Sequence, residues 1–246
     1  MPDYEHEQVR RLSLKIAAEL GSPRFYLQHR GEMEKSQHLF KQTPMVSQCI
    51  EIVTSYGDCY GHGPLHVRKV AIDAGAIILT ERNSAEPAAE TERLVLLAHL
   101  AGLLHDIKRA EKDHARAGAR EASGILAAFA LKDTECSAIV RAIANHEAFQ
   151  LPDALDDPTD QLLSDALYDA DKFRWGPDNF TETLWAMLAA RQASLAAVLP
   201  RFPRGMEALL RIRETFRTAT GRNYGPDFID LGLEVGRRFY EEMTAS

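Results

Sequence analysis

Apolar residues in this chain recur three, four, seven or eight positions apart, and no segment alternates apolar with polar residues over a sustained run. A helix buries one face at a period of 3.6 residues and a strand at a period of two, so the pattern restricts the chain to an all-α fold. Tyr4 to Leu20 places Val9, Leu12, Ile16 and Leu20 on one face, and Gly21-Ser22-Pro23 stops it. Phe25 to Lys41 is polar and compatible with a helix, and Thr43-Pro44 opens another through Val46, Ile50 and Val53. After a breaker-rich loop, Tyr56 to Pro64, the helical pattern resumes from Leu65 to Leu79. Asn83 to Glu90 reads as a loop. Glu92 to Ile107 is apolar on more than one side, which predicts a central, buried helix. Further helices are expected over Ala115 to Ala130, Thr134 to Phe149, Gln161 to Phe173, Thr181 to Val198, Met206 to Phe216 and Asp227 to Met243, with Gln150 to Thr159 a loop. The expectation is one compact multi-helix domain over 1–246; the alternative is a separate unit before Tyr56.

Charge and cysteine usage narrow the function classes. A net charge of −7 speaks against duplex nucleic acid, whose phosphate backbone demands a basic surface, but not against a small phosphorylated substrate, which needs only local positive charge. Cys49, Cys59 and Cys136 are scattered, so neither a disulfide framework nor a thiolate zinc site is expected. The charged start MPDYEHEQVRR has no apolar run after it, unlike a secretory signal. The most apolar run, Leu94 to Leu104, is too short for a bilayer and carries His99. A cytoplasmic protein with no membrane partner is expected; nothing in the sequence indicates an oligomeric state.

Against this background several polar residues stand in apolar places. His105-Asp106 ends the most apolar helix, where an ionised group without a partner costs several kcal/mol. His66 opens the helix after the glycine-rich loop. His146 follows Ile139 and Ile143 by seven and three residues, and Asp171 follows Leu163 and Leu167 by eight and four, so both are expected on buried faces. Asp169 is turned about 200° from Asp171 by helix geometry and is set aside as a ligand. His114 lies just beyond the polar turn Lys108 to Asp113. Each residue alone reads more readily as a satisfied core or solvent-facing group than as a ligand. Together, imidazoles and carboxylates without thiolates suit Fe, Mn, Zn, Co or Ni better than Ca or Mg.

The ordered set His66, His105-Asp106 and Asp171 within Asp169-Ala170-Asp171-Lys172 resembles the H…HD…D signature of the HD-domain metal-dependent phosphohydrolases, over roughly Gly61 to Phe180. His114 and His146 stand where HD proteins with a second metal carry histidines. The pattern looks most like bacterial proteins that hydrolyse dinucleoside polyphosphates. It is further from the HD-GYP phosphodiesterases, which have paired histidines where this chain has Asn145-His146. It departs from both where a lysine commonly follows the HD, since Arg109 stands there with Lys108 before it.

The resemblance implies an HD-type helical bundle with added N- and C-terminal helices and a centre of two divalent transition-metal ions. Asp106 would be the bridging, catalytic carboxylate; His66, His105 and Asp171 would complete one position, His114 and His146 the other. The implied reaction is hydrolysis of a phosphate ester or anhydride, a nucleotide foremost. Lys108 and Arg109 are candidate phosphate anchors, with Lys69 and Lys172, and more weakly Arg68 and Arg174, beside them. Glu147 is a candidate for orienting a ligand, and Trp175 for an aromatic wall. His62 fits a ligand spacing to His66, but Gly63-Pro64 intervenes; His99 reads as a core histidine. Competing readings are an HD-type di-iron oxygenase and a non-catalytic metal- or ligand-binding helical protein.

Overall fold

The computed structural model describes residues 2–57, 63–82 and 87–245, with side chains from position 7 onward. Among the described residues there is no strand, as the absence of period-two patterning requires. His62, and the centres of the Tyr56–Pro64 and Asn83–Glu90 loops, lie outside the described residues.

The chain begins with α1 (Pro2–Leu20), then α2 (Arg24–Gln28) and α3 (Arg30–Gln42), which part at His29 where a single helix was conceivable. α4 (Pro44–Ser55) and α5 (Pro64–Glu81) both start on a proline, whose fixed φ and missing N–H suit the first helical position. α6 (Ala88–Leu104) is buried nearly all round, as its sequence predicts. It lies against α5 so closely that a Cβ on Gly102 would come within 2.5 Å of the Ala71 Cα; only glycine permits this crossing. α7 (His114–Leu126) and α8 (Asp133–Ala144) are shorter than their patterns suggest, each closing before its last apolar residues. α9 (Pro158–Phe173) is capped by Asp157, whose carboxylate accepts from the Thr159 and Asp160 amides at 2.7 and 3.3 Å.

The expected helix from Thr181 to Val198 is broken. A π-helical turn (Asn179–Thr183) leads into α10 (Leu184–Ala190); Gln192 then takes φ +48° before α11 (Leu195–Val198). After a 3-10 turn comes α12 (Phe202–Ile212), and then α13 (Ala219–Thr244), which starts eight residues earlier than its apolar pattern predicts. The sequence before Asp227 holds Gly221, Gly225 and Pro226, ordinarily breakers, but here the glycines serve packing: a Cβ on Gly225 would meet the Phe216 ring at 2.3 Å. Thr218 caps α13 by accepting from the Gly221 amide at 2.7 Å.

One hydrophobic core runs from Ile16 in α1 to Phe239 in α13. α13 lies over α9, with the Phe173 and Phe228 rings stacked at 4.0 Å, and over α1. No described helix is long and apolar enough to cross a membrane. The arrangement brings one end of each of α5 to α9 to a common region.

Candidate metal centre

Each of the six candidate ligands sits at or next to a helix end. His66 is in the first turn of α5; His105 and Asp106 form the turn leaving α6; His114 opens α7; Asp171 is in the last turn of α9. His146 lies two residues beyond α8, not in its last turn as its spacing from Ile139 and Ile143 suggested. It is still held inward, because its Nδ1 donates to the Ile143 carbonyl at 2.6 Å. Helix ends suit this task because side chains there converge without the ladder of backbone hydrogen bonds intervening. All six are buried.

The donor atoms fall into two groups that share His105, and the two oxygens of Asp106 are turned one to each side. His66 Nε2 and His105 Nε2 are 3.3 Å apart. Asp171 Oδ1 lies 3.4 and 3.6 Å from them, and Asp106 Oδ2 3.7 and 3.4 Å. Donors about 2.1 Å from one ion stand about 3.0–3.5 Å from each other, so His66, His105 and Asp171 are spaced to close on a single cation. On the other side, Asp106 Oδ1 lies 3.5 Å from His146 Nε2 and 3.7 Å from His114 Nε2. His105, Asp106 and His146 form a second group of converging donors.

The surroundings orient these atoms. His105 Nδ1 is 2.8 Å from the Gly102 carbonyl, which takes its hydrogen and, like the Ile143 carbonyl for His146, leaves Nε2 facing the centre. His146 Nε2 is buried with no hydrogen-bond partner, the state of a lone pair awaiting a cation. Lys172, itself buried, donates to Asp171 Oδ2 and, at 3.1 Å, to the His146 carbonyl; its ammonium lies 4.9 Å from the Tyr168 ring centroid. That contact leaves Asp171 Oδ1 for the two imidazoles.

Charge completes the argument for a cation. Burial disfavours the Asp171 carboxylate, but Lys172, His105 and His66 together hold its pKa well below the ordinary value. Burial likewise opposes charging His105, and Asp106 and Asp171 overcome it, raising its pKa to about 10. His114 goes the other way, lowered to about 4 by burial and by the neighbouring His146. The Asp171 carboxylate is thus kept ionised in a buried setting, and the nitrogen and oxygen donor set suits a divalent transition metal.

The basic candidates are placed unequally. Arg109 Nη1 donates to His114 Nε2 at 2.8 Å, and its side chain lines two cavities at the centre. One, of about 140 Å³, is bounded by Tyr56, Asp106 and Lys108; the other, of about 190 Å³, by His146, Asp171, Lys172, Trp175 and Phe149. Lys108 is 3.3 Å from Glu121. Lys69 is held by Asp178 at 3.1 Å and Glu182 at 2.7 Å. Arg174 is buried in a network with Asp73, Tyr26 and Asp178, the last of which it shares with Lys69. Asp169 faces away from Asp171, as helix geometry predicts, and accepts from the Arg217 and Thr218 amides at 2.8 Å. His99 is a core residue beside Ser36, its Nε2 3.0 Å from the hydroxyl.

The sequence reading passed over Asp73 and over the two carbonyls that fix His105 and His146. Asp73 was open to discovery, since it sits beside Val70, Ala74 and Ile77 on the buried side of α5. The carbonyls were not, because every residue has one.

No family model and no curated protein matches the chain. Its structure is similar to the crystal structure of a predicted HD superfamily hydrolase from an uncultured Thermotogales bacterium. The TM-score is 0.52 at 24% identity, over 84% of this chain and 98% of that one. The two share a fold.

Proposed function

We propose that the chain is a metal-dependent phosphohydrolase of the HD type, with two divalent transition-metal ions and a small phosphorylated substrate, a nucleotide foremost. Asp106 carries this reading: its Oδ2 faces His66 and His105 while its Oδ1 faces His114 and His146, as a carboxylate shared by two ions does. The fold held in common with a predicted HD superfamily hydrolase supports it. Bound there, the ions would supply Lewis-acid charge and a water of lowered pKa.

The protein's own part is positioning. The Gly102 and Ile143 carbonyls keep the His105 and His146 rings from turning away, and Lys172 fixes the Asp171 carboxylate. Arg109 borders both cavities, and a guanidinium matches a phosphoryl group with two parallel hydrogen bonds. We therefore place the phosphate against Arg109 first and Lys108 second. Lys69 and Lys172 are engaged by carboxylates and serve the frame of the site.

The test is phosphate release from a panel of mononucleotides, dinucleoside polyphosphates and simple phosphate esters, with Mn, Fe, Co and Ni in turn. Release with at least one metal is expected, falling to background in Asp106→Ala. Elemental analysis should show Asp106→Ala losing metal more completely than His114→Ala. Unchanged metal content in Asp106→Ala sinks the ligand assignment; no release from any substrate sinks the hydrolase. Oxygen uptake by the reduced, iron-loaded protein without phosphate release would replace it with an oxygenase.

A further inference from the structure

We infer that Arg109 and the second metal ion compete for the same ligands, so that this side chain gates the second position; the inference rests on the metal-centre reading above. Arg109 Nη1 lies 2.8 Å from His114 Nε2 and 3.8 Å from Asp106 Oδ1, two of the donors that would hold that ion. An imidazole nitrogen has one lone pair: it accepts a hydrogen from the guanidinium or binds a cation, not both. A guanidinium stays charged throughout the accessible pH range, so the competition does not relax by deprotonation.

At the first position Lys172 is bound to Asp171 Oδ2 and leaves Oδ1 facing His66 and His105. The two halves of the centre thus differ: at the first, Lys172 sits on the far oxygen of Asp171, whereas at the second, Arg109 sits on a donor atom itself. Arg109 belongs to the turn between α6 and α7, is partly exposed, and lines both cavities, so it can leave His114 by side-chain rotation alone. A phosphate in either cavity offers the guanidinium a stronger acceptor than a neutral imidazole. Anion binding and second-ion binding therefore assist each other: an anion draws Arg109 away, and an ion at His114 releases it toward the anion.

Titration of metal-free protein with Mn(II) by calorimetry, with bound metal counted by elemental analysis, tests this. Wild type should bind one ion tightly and a second more weakly. In Arg109→Gln the second step should tighten by about tenfold, the scale of one charge-assisted hydrogen bond, with the first step unchanged. Inorganic phosphate should tighten the second step in wild type and have little effect on it in Arg109→Gln. The exposed Lys112→Ala, in the same turn, controls for loss of one positive charge and should leave both steps as they are. A second step unaltered in folded Arg109→Gln, or altered equally by Lys112→Ala, overturns the gate while the metal centre stands. Failure of wild type to bind any ion overturns the metal centre itself.

Discussion

His99 and His105 lie six residues apart, one in α6 and one just after it, and both are wholly buried, yet their proton affinities diverge. Burial takes His99 down to about 3, with the Ser36 hydroxyl and the Phe40 ring against it. The same burial acts on His105, but two carboxylates reverse it and hold the ring at about 10. Surroundings, not residue type, separate a core histidine from a site histidine. A consequence follows for His99. Its folded pKa lies below the unfolded value of 6.5, so its contribution to stability is complete above pH 6.5 and is lost as pH falls from there toward 3. Between pH 7 and 4 the loss should be roughly 3 kcal/mol. Urea midpoints across that range should fall steeply in wild type and less steeply in His99→Gln; parallel slopes would show that His99 does not govern the acid limb. At this scale the six candidate ligands stood out because each is a polar residue on an apolar face or at a helix boundary. The engagement of Lys69 with Asp178 and Glu182 was not, because those partners lie more than a hundred residues away.

Helices set the precision of the site, and their crossings set the helices. Gly102 meets the backbone of Ala71 across the α5–α6 contact, and its carbonyl takes the Nδ1 hydrogen of His105. Gly102→Ala should therefore destabilise the fold by about 1–3 kcal/mol, as overpacking does. Because spreading the crossing moves His66 relative to His105, metal affinity should fall with it. Denaturant unfolding and metal titration check the two effects; a destabilised variant with unaltered affinity would show that the crossing does not position the ligands. The helix interiors were read correctly from periodicity, while several ends were not. α13 starts early because its glycines are contact points and Thr218 supplies a cap. The stretch from Thr181 to Val198 breaks where Gln192 adopts a left-handed conformation, which no sequence spacing signals.

Over the whole molecule, the candidate ligands are drawn from the ends of α5 to α9, positions 66 to 171, so the proposed set does not exist before the chain folds. A metal ion that binds only the folded state adds to its stability, by about 2.7 kcal/mol at a hundredfold excess over Kd. For a chain of this length the melting temperature should rise by roughly 5–10 °C with Mn(II), reverse with chelator, and not move in Asp106→Ala. A wild-type melt indifferent to metal would contradict a buried ligand set. The sequence by itself determined that the chain is all-α, because hydrophobic periodicity is a local property imposed by helix geometry. It also singled out polar residues on apolar faces, because a charge or imidazole placed there has to be answered. Only the tertiary structure decided which of them meet. It split the Asp106 carboxylate between two sets of imidazoles, set Arg109 against His114, and turned Lys172 and Lys69 to the frame of the site. Distances of a few ångströms between atoms far apart in sequence are fixed by packing, and packing is a property of the folded chain as a whole.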